Sequence, residues 1–500
     1  MIDLQCIAAG LVGIATFIIV LSYWKFLSRR GKLPPGPFPL PILGNFLQLQ
    51  YHGLLPALLK MSKENGPIFT VYFGSRPIVV VSGYQALKEV FIEYSDAFVD
   101  RGCYPLIKKM MQPEAFFFSV GDKWRQIRQF TLQTLKDFGM GKKSIEEPIL
   151  EEIHHLVEYF RSLNEQPFDP SIILSCGNSN VLANILMGTR YDYNDKKWMK
   201  ILQDSREAFH ILSSNWGQIY DTFPRIMSYL PGPHRKIPTI LDDFTDTLKE
   251  NIRTHQETLD PACPLDYIDC FLIRMKQEEL NPSDSPFTIN YLAPVLLDMF
   301  LAGMESNAFT QHFGFLILIK HPEIQDKLHE EIDQVIGQTR EPKVEDRSQM
   351  PYMNAVIHEI QRFADVFPMG LTRATTRDIT FRGYFLAKGT NVLPMLTTAL
   401  KDPAHFEKPD KFYIKHFLDD NGKFKKNCAF LPFAAGRRSC IAESLVRLQL
   451  FLFFTIILQK FTLKSEVDPK DLDISPEETS LESIPPNHKI IFIPRTVGGA

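Results

Sequence analysis

Near the C-terminus, Phe433-Ala434-Ala435-Gly436-Arg437-Arg438-Ser439-Cys440-Ile441-Ala442 runs straight into a helical pattern that continues through Leu458. A cysteine just before a helix start has its thiolate favoured by free backbone N–H groups and the positive end of the helix dipole. Gly436 permits the turn that exposes it, and Arg438 adds positive charge. Such a thiol suits soft-metal ligation or nucleophilic attack, although a cysteine taken alone is more often an inert small hydrophobe. Three further groupings carry chemistry. Glu359 and Arg362 stand three apart, which by itself describes an ordinary helix-surface ion pair. Trp124 and Arg128 stand four apart, on one helix face. In Asp298-Met299-Phe300-Leu301-Ala302-Gly303-Met304-Glu305-Ser306-Asn307, small residues sit beside an acid and a hydroxyl that could relay protons.

Two tempting motifs fail. Gly139-Met140-Gly141-Lys142-Lys143-Ser144 glances at a phosphate loop, but the first glycine is missing and Lys143 stands where Ser or Thr should hold magnesium. His358-Glu359 begins like a zinc-protease helix, but Arg362 occupies the place of the second histidine. There are seven cysteines in 500 residues and no C-x-x-C pair, which reads as reduced thiols in a cytosol-facing protein. The net charge of −3 offers no basic excess to draw the chain to nucleic acid.

The elements that must position these residues follow from the chain's patterning. Residues 4–24 are uncharged, and Lys25, Arg29, Arg30 and Lys32 follow closely. As a helix that stretch would be roughly 31 Å long, the thickness of a bilayer's hydrocarbon, and the trailing cations place the bulk of the chain on the cytosolic side. A cleaved signal peptide would need a basic start, a shorter apolar core and a small-residue cleavage site. Leu33-Pro34-Pro35-Gly36-Pro37-Phe38-Pro39-Leu40-Pro41 reads as a stiff extended spacer. Residues 68–73 and 77–81, flanking Gly74-Ser75-Arg76, predict a hairpin, and 379–385 and 489–493 predict short strands. Between about 122 and 345 the spacing is mostly helical, broken at Phe168-Asp169-Pro170 and Pro231-Gly232-Pro233. A length prior of about three domains yields to the absence of long linkers and repeats. The reading is an anchor over 1–32, a proline-rich hinge over 33–45 and one domain over 46–500, mainly α with small β-sheets. Its 39 phenylalanines predict an aromatic core able to enclose something apolar.

The segment from Phe433 to Ala442 resembles the cysteine loop F-x-x-G-x-R-x-C-x-G of the cytochrome P-450 superfamily, with Ala442 in place of the last glycine. Glu359-Ile360-Gln361-Arg362 resembles that family's E-x-x-R helix, whose ion pair locks the loop carrying the cysteine. Trp124-Arg125-Gln126-Ile127-Arg128 resembles its W-x-x-x-R element, and the Asp298–Asn307 stretch its long central helix. Ser306 and Asn307 replace the usual threonine and its neighbour, and Ile414 replaces a usual proline. The anchor, the proline segment and Arg382-Gly383-Tyr384 look like the microsomal family two.

The resemblance implies a membrane-anchored haem-thiolate monooxygenase with the P-450 fold. Cys440 would be the axial ligand of haem b, whose thiolate favours O–O cleavage. Trp124, Arg128, Arg373 and Arg438 would meet the propionates, with Phe433 and Ala302 against the ring. Glu305 and Ser306 would relay protons. Phe116, Phe300, Ala302, Leu371 and Leu481 would contact an apolar substrate. Electrons would come from NADPH through cytochrome P-450 reductase, with cytochrome b5 a second donor, because the chain has no dinucleotide fingerprint of its own. Lys136, Lys142, Lys143, Lys425, Lys426 and Arg437 could attract an acidic partner or be ordinary solvated cations. The implied location is the endoplasmic reticulum membrane, single-pass, with the catalytic domain cytosolic. Two other functions stay open on the same residues: an oxygen-independent isomerase of hydroperoxides or endoperoxides, and a haem carrier or sensor without turnover.

Overall fold

Continuous β-branched and aromatic runs on either side of Gly74 build the hairpin that starts the fold. The computed structural model describes residues 33–50, 53–102, 104–110, 116–138, 145–278, 285–477 and 482–495, with scattered positions between 10 and 21. Most of residues 4–24, together with Cys103, residues 139–144 and Leu481, lie outside the described residues. Strand β1 (Ile68–Phe73) pairs antiparallel with β2 (Arg76–Val81), Val71 opposite Ile78. Gly74 makes the turn with φ +61°.

Two-residue strands β3 (Asp100–Arg101) and β4 (Arg373–Ala374) join the same sheet. A separate hairpin of β5 (Ile379–Phe381) and β6 (Tyr384–Leu386) leads to β7 (Asn391–Pro394), which runs parallel to β2. The five-stranded order is β1-β2-β7-β4-β3. The single strand expected over 379–385 is therefore a hairpin. Arg382 and Gly383 both adopt positive φ, 48° and 85°, the conformation of a tight two-residue turn. A third sheet pairs β8 (Phe461–Lys464) with β9 (Ile491–Pro494).

The helices that matter for the site are α1 (Gly121–Asp137), α2 (Glu146–Ser162), α3 (Ser171–Met187), α4 (Lys196–Ser213), α5 (Lys236–Thr258), α6 (Ile289–Lys320), α7 (Pro351–Ala364) and α8 (Glu443–Lys460). Helix α6 is apolar on nearly every side and is buried along most of its 32 residues, as a central helix must be. It packs along α3 and also touches α5, α7 and α8.

The proline segment does not stand free as a spacer. Thr70 donates its N–H to the Pro35 carbonyl at 3.0 Å and its hydroxyl to that of Pro34 at 2.8 Å, so the segment lies on β1. A side chain at Gly36 would collide with the Thr70 carbonyl.

The Glu359–Arg362 pair is also not a surface pair. Both side chains are fully buried, joined by two hydrogen bonds of 2.7 Å. Arg362 donates further to the carbonyls of Leu400, Pro409 and Lys411, while Glu359 accepts from the Tyr413 N–H and faces His416. The pair thus clamps the irregular chain between 400 and 416 onto α7, upstream of the cysteine loop. Each partner's lone pairs and protons are used, which is the condition for a buried pair to be stable. Glu359→Gln leaves Arg362 an uncompensated buried charge, and we expect a loss of about 3–5 kcal/mol in urea unfolding.

Candidate functional site

Cys440 sits three residues before Glu443, the first residue of α8, with Ala442 at the N-cap. Its N–H donates to the Phe433 carbonyl at 3.0 Å, closing the loop on itself. Gly436 makes that closure possible. Its φ is +73°, and a Cβ there would lie 1.8 Å from the Phe91 carbonyl oxygen. Ala434 also adopts positive φ, 55°. The loop is held in a shape its residues do not choose freely.

The Cys440 side chain has an accessible surface although protein surrounds it. Burial pushes its thiol up, against the N–H groups of Ala442 and Glu443 and the Arg128 charge, which pull it down. Desolvation of the thiol thus outweighs the pull of the helix-start N–H groups. A bound cation would supply the missing stabilisation, because a coordinating thiol is deprotonated outright. Ala442 has φ −92°, which any residue adopts, so replacing glycine there costs the backbone nothing.

Beside the cysteine, four guanidinium groups share one buried region. Arg128 donates to the Ser439 carbonyl at 2.8 Å, and Arg438 to those of Val99 and Ser119 at 2.9 and 2.6 Å. Arg438 also lies 3.8 Å over the Trp124 ring. Arg373 stands opposite Arg101 in the β3–β4 pair. Arg101 donates to the Phe117 carbonyl at 3.0 Å, while Arg373 Nε is buried without a partner. Burial depresses the proton affinity of all four, and mutual repulsion adds to it for Arg101, Arg373 and Arg438. Guanidinium does not surrender its proton in proteins, so this repulsion is a real cost that an anion would remove. Neighbouring Arg437 behaves differently, pairing with Asp96 at 2.6 Å at the surface.

Across the fold, α6 presents Ala302, Gly303 and Ser306 half-buried between fully buried neighbours. Ser306 donates its hydroxyl to the Ala302 carbonyl at 2.7 Å. A Cβ on Gly303 would meet Leu182 at 2.8 Å, so that residue is small to let α6 approach α3. Glu305 is fully buried, its carboxylate 3.6 Å from Arg206 and near the Ser175 hydroxyl, and burial pushes it up. Asn307 turns away, donating to Gln449 at 2.9 Å. Asp298 accepts the Phe117 N–H at 2.9 Å, fixing the Phe116–Phe118 turn to α6.

The expected substrate contacts fare unevenly. Phe116 is buried beside Phe117, and Leu371 is half-buried two residues before Arg373. Phe300 does not join them: it is fully buried between Trp198 of α4 and Phe244 of α5, at ring distances of 5.9 and 5.6 Å. Two residues along a helix is roughly 200°, which puts Phe300 opposite Ala302. Leu481 lies outside the described residues. Sequence reasoning missed Arg101 and His416; the first sits on a two-residue strand too short to leave a pattern, and the second needed the Glu359 contact to be visible.

A thiol at a helix start, facing a buried cation cluster whose guanidiniums form no ion pair among the described residues and are offset only at longer range by Asp100 on Arg438, fits a metal macrocycle carrying acidic side chains. That is the class of haem-thiolate sites. The chain matches the Cytochrome P450 family over residues 34–492. It is 45% identical over 491 residues to cytochrome P450 2C44 of Mus musculus, covering 97% of this chain and 99% of that one. It is also 45% identical over 486 residues to cytochrome P450 2C23 of Rattus norvegicus, covering 97% and 98%. With cytochrome P450 2A6 of Homo sapiens the identity is 43% over 494 residues, 98% of this chain and 100% of that one. The protein belongs to the cytochrome P450 family: it is a monooxygenase that binds haem b through a cysteine thiolate.

Gly436→Ala forces a clash with backbone that cannot be relieved by a side-chain rotation. We expect the variant to lose most of its haem, read as Soret absorbance per mole of protein, with helical circular dichroism largely kept.

Proposed function

We propose that Cys440 is the axial thiolate of the haem, and that the protein inserts one atom of dioxygen into an apolar organic substrate with electrons from NADPH by way of a flavoprotein reductase. The observation that carries this reading is the convergence of Arg101, Arg128, Arg373 and Arg438 beside the Cys440 thiol, with hydrogen bonds going only to carbonyls and the Ser439 hydroxyl. Those four cations, with Trp124 beneath Arg438, would hold the propionates. Phe433, whose carbonyl accepts the Cys440 N–H, and Ala302 would contact the ring. The haem would supply dioxygen binding and reduction at its iron.

The chain's own residues then control protons. Burial pushes Glu305 up and so favours its protonated form, against the Arg206 charge and the Ser175 hydroxyl, which pull it down. Ser306 would pass that proton on by rotating its hydroxyl away from the Ala302 carbonyl. Without a β-methyl this rotation is freer than a threonine's. Lys136, Lys425 and Lys426 are exposed and could meet an acidic reductase, with cytochrome b5 as a second donor; Arg437 is already occupied by Asp96.

Attachment to the endoplasmic reticulum membrane through residues 1–32, with the remaining chain forming one haem domain on the cytosolic face, also belongs to this proposal. Among the described residues no helix is long and apolar enough to cross a membrane. Described positions in the first segment are helical, and Ile14, Phe17, Ile18 and Val20 are exposed. A second apolar surface supports the same orientation. Phe38, Leu40, Ile42 and Leu47 are exposed, as are Trp216, Ile226, Tyr229 and Leu230. The two groups are bridged by the Phe46–Phe223 ring contact and the Gln50–Gln218 hydrogen bond.

The decisive measurement is the spectrum of the reduced carbon monoxide complex. Wild type is expected to show the strongly red-shifted Soret band of a thiolate ligand and Cys440→Ala to lose it; a wild type without the shift, or a variant that keeps it, defeats the assignment. For turnover, Ser306→Ala should lower product formed per NADPH consumed by on the order of 10- to 100-fold, with NADPH consumption continuing.

A further inference from the structure

Away from the haem site, an exposed thiol has a base beside it. Cys428 belongs to the segment that leads into the cysteine loop. It is exposed, and its Sγ stands 3.7 Å from Nδ1 of His405. Tyr84 completes the group. Its hydroxyl is hydrogen-bonded to Cys428, and its ring meets the His405 ring edge to face at 4.6 Å.

The three residues come from separate parts of the chain, and other groups hold them together. Asn427 donates its side-chain amide to the His405 carbonyl at 2.8 Å and accepts the Ala429 N–H at 2.9 Å. The residues on both sides of Cys428 are thus tied to the segment bearing His405. Gly83 donates its N–H to the Thr398 hydroxyl at 2.7 Å, fastening the start of the Tyr84–Lys88 helix to the chain ahead of His405. None of these ties uses the thiol or the imidazole nitrogens, so both stay available to react. The other described thiols lack this arrangement. Burial pushes those of Cys176 and Cys270 up, the latter to about 11. Cys263 is exposed, but no histidine reaches its thiol among the described residues.

The charges around Cys428 favour an acidic reagent. Lys423, Lys425 and Lys426 are exposed just upstream. Of the acids near His405, Asp402 accepts the Ala404 N–H at 2.9 Å and Glu407 faces Lys408 at 4.0 Å.

We propose that Cys428 is a site of thiol–disulfide exchange with a small disulfide carrying carboxylates, and that His405 is its base. His405 takes the thiol proton as Cys428 attacks one sulfur of the reagent. A new S–S bond joins Cys428 to half of the reagent while the reagent's own S–S bond breaks. The other half leaves as a thiolate and takes the proton back from His405. One disulfide replaces another, so no further oxidant is required. The adduct would put negative charge beside Lys425 and Lys426, and so would slow electron delivery. That consequence rests on the reductase surface proposed above; the exchange site does not.

The test exposes full-length holoenzyme to glutathione disulfide, bis(2-hydroxyethyl) disulfide or cystamine, with adducts counted at each cysteine by peptide mass spectrometry. Cys428 should react with glutathione disulfide about tenfold or more faster than Cys263. His405→Gln should bring it close to the Cys263 rate, and the variant keeps the Asn427 tie because that bond uses the His405 carbonyl. At Cys428, glutathione disulfide should outpace cystamine, and Lys425→Ala with Lys426→Ala should shrink that preference. A Cys428 rate no faster than that of Cys263, or one unchanged in His405→Gln, overturns the site; cystamine reacting as fast as glutathione disulfide overturns the acidic class. Should His405→Gln fail to fold, the wild-type ratio of Cys428 to Cys263 decides. For the consequence, reductase-driven formation of the carbon monoxide complex should be about threefold or more slower in the Cys428 adduct than in Cys428→Ser treated alike, with equal formation under dithionite. Equal reductase-driven rates overturn the effect on electron delivery alone. A wild type without the red shift under dithionite defeats the haem-thiolate reading instead.

Discussion

Four arginines cannot share a buried region unless an anion comes to them. Arg101 and Arg373 stand face to face across a strand pair, where like charges are unfavourable even at a surface. Arg128 and Arg438 close in from α1 and the cysteine loop. The hydrogen bonds they make go to backbone carbonyls and the Ser439 hydroxyl, which orient the guanidiniums but do not neutralise them, and Arg373 Nε makes none. The folded chain therefore carries an electrostatic cost that a bound anion, such as the carboxylates of the proposed haem, would offset. Much of the remaining architecture serves to bring these cations together. The five-stranded sheet exists partly to place β3 against β4, and the Glu359–Arg362 clamp fixes the irregular chain that precedes Cys440.

The parts of this arrangement that were legible in the sequence are those with a local signature. Gly436 could be read as a turn residue because only glycine tolerates both its φ and the approach of Phe91. The β1–β2 hairpin followed from apolar runs around Gly74, and the helical middle from its spacing. What escaped was long-range. Arg101 carries no local mark, since a strand of two residues has no period. Phe300 looked like a pocket residue because it neighbours Ala302 in sequence, whereas the helix turns it to the opposite side. The proline segment reads as a stiff extended spacer because its prolines cannot donate; its carbonyls, however, can accept, and Thr70 uses two of them to hold the segment on β1.

The two acids near α6 show how position changes the meaning of a residue type. Glu359 is as buried as Glu305, yet it accepts from Arg362 and Tyr413 and acts purely as a clamp. Glu305 has one cation just beyond hydrogen-bond reach and keeps its capacity open. Burial alone distinguishes nothing here. The number of partners within reach does, and an acid left short of partners is the one available to a proton or a ligand.

Asn307 makes the same point from the opposite direction. It replaces a small hydroxyl residue in the family pattern and at first reads as an erosion of the proton path. Its amide instead donates to Gln449 of α8, Gln449 donates to Asn178 of α3, and Asn178 donates to Gln311 of α6. Four buried amides thus tie the helix across the site to the helix that begins beside Cys440, with α3 as the third member. The Asn307 Oδ1 has no partner, but every donor link of this chain is made, and such a network fixes register between helices more specifically than apolar packing, because each slip would strand a buried donor. Ser306 remains the sole hydroxyl at the site face of this stretch, and its backbone is held by the very substitution that removed its neighbour. The departures from the family pattern in α6 are therefore coupled: the interhelical amide lattice braces this stretch, while the Ser306 hydroxyl is held only by its bond to the Ala302 carbonyl.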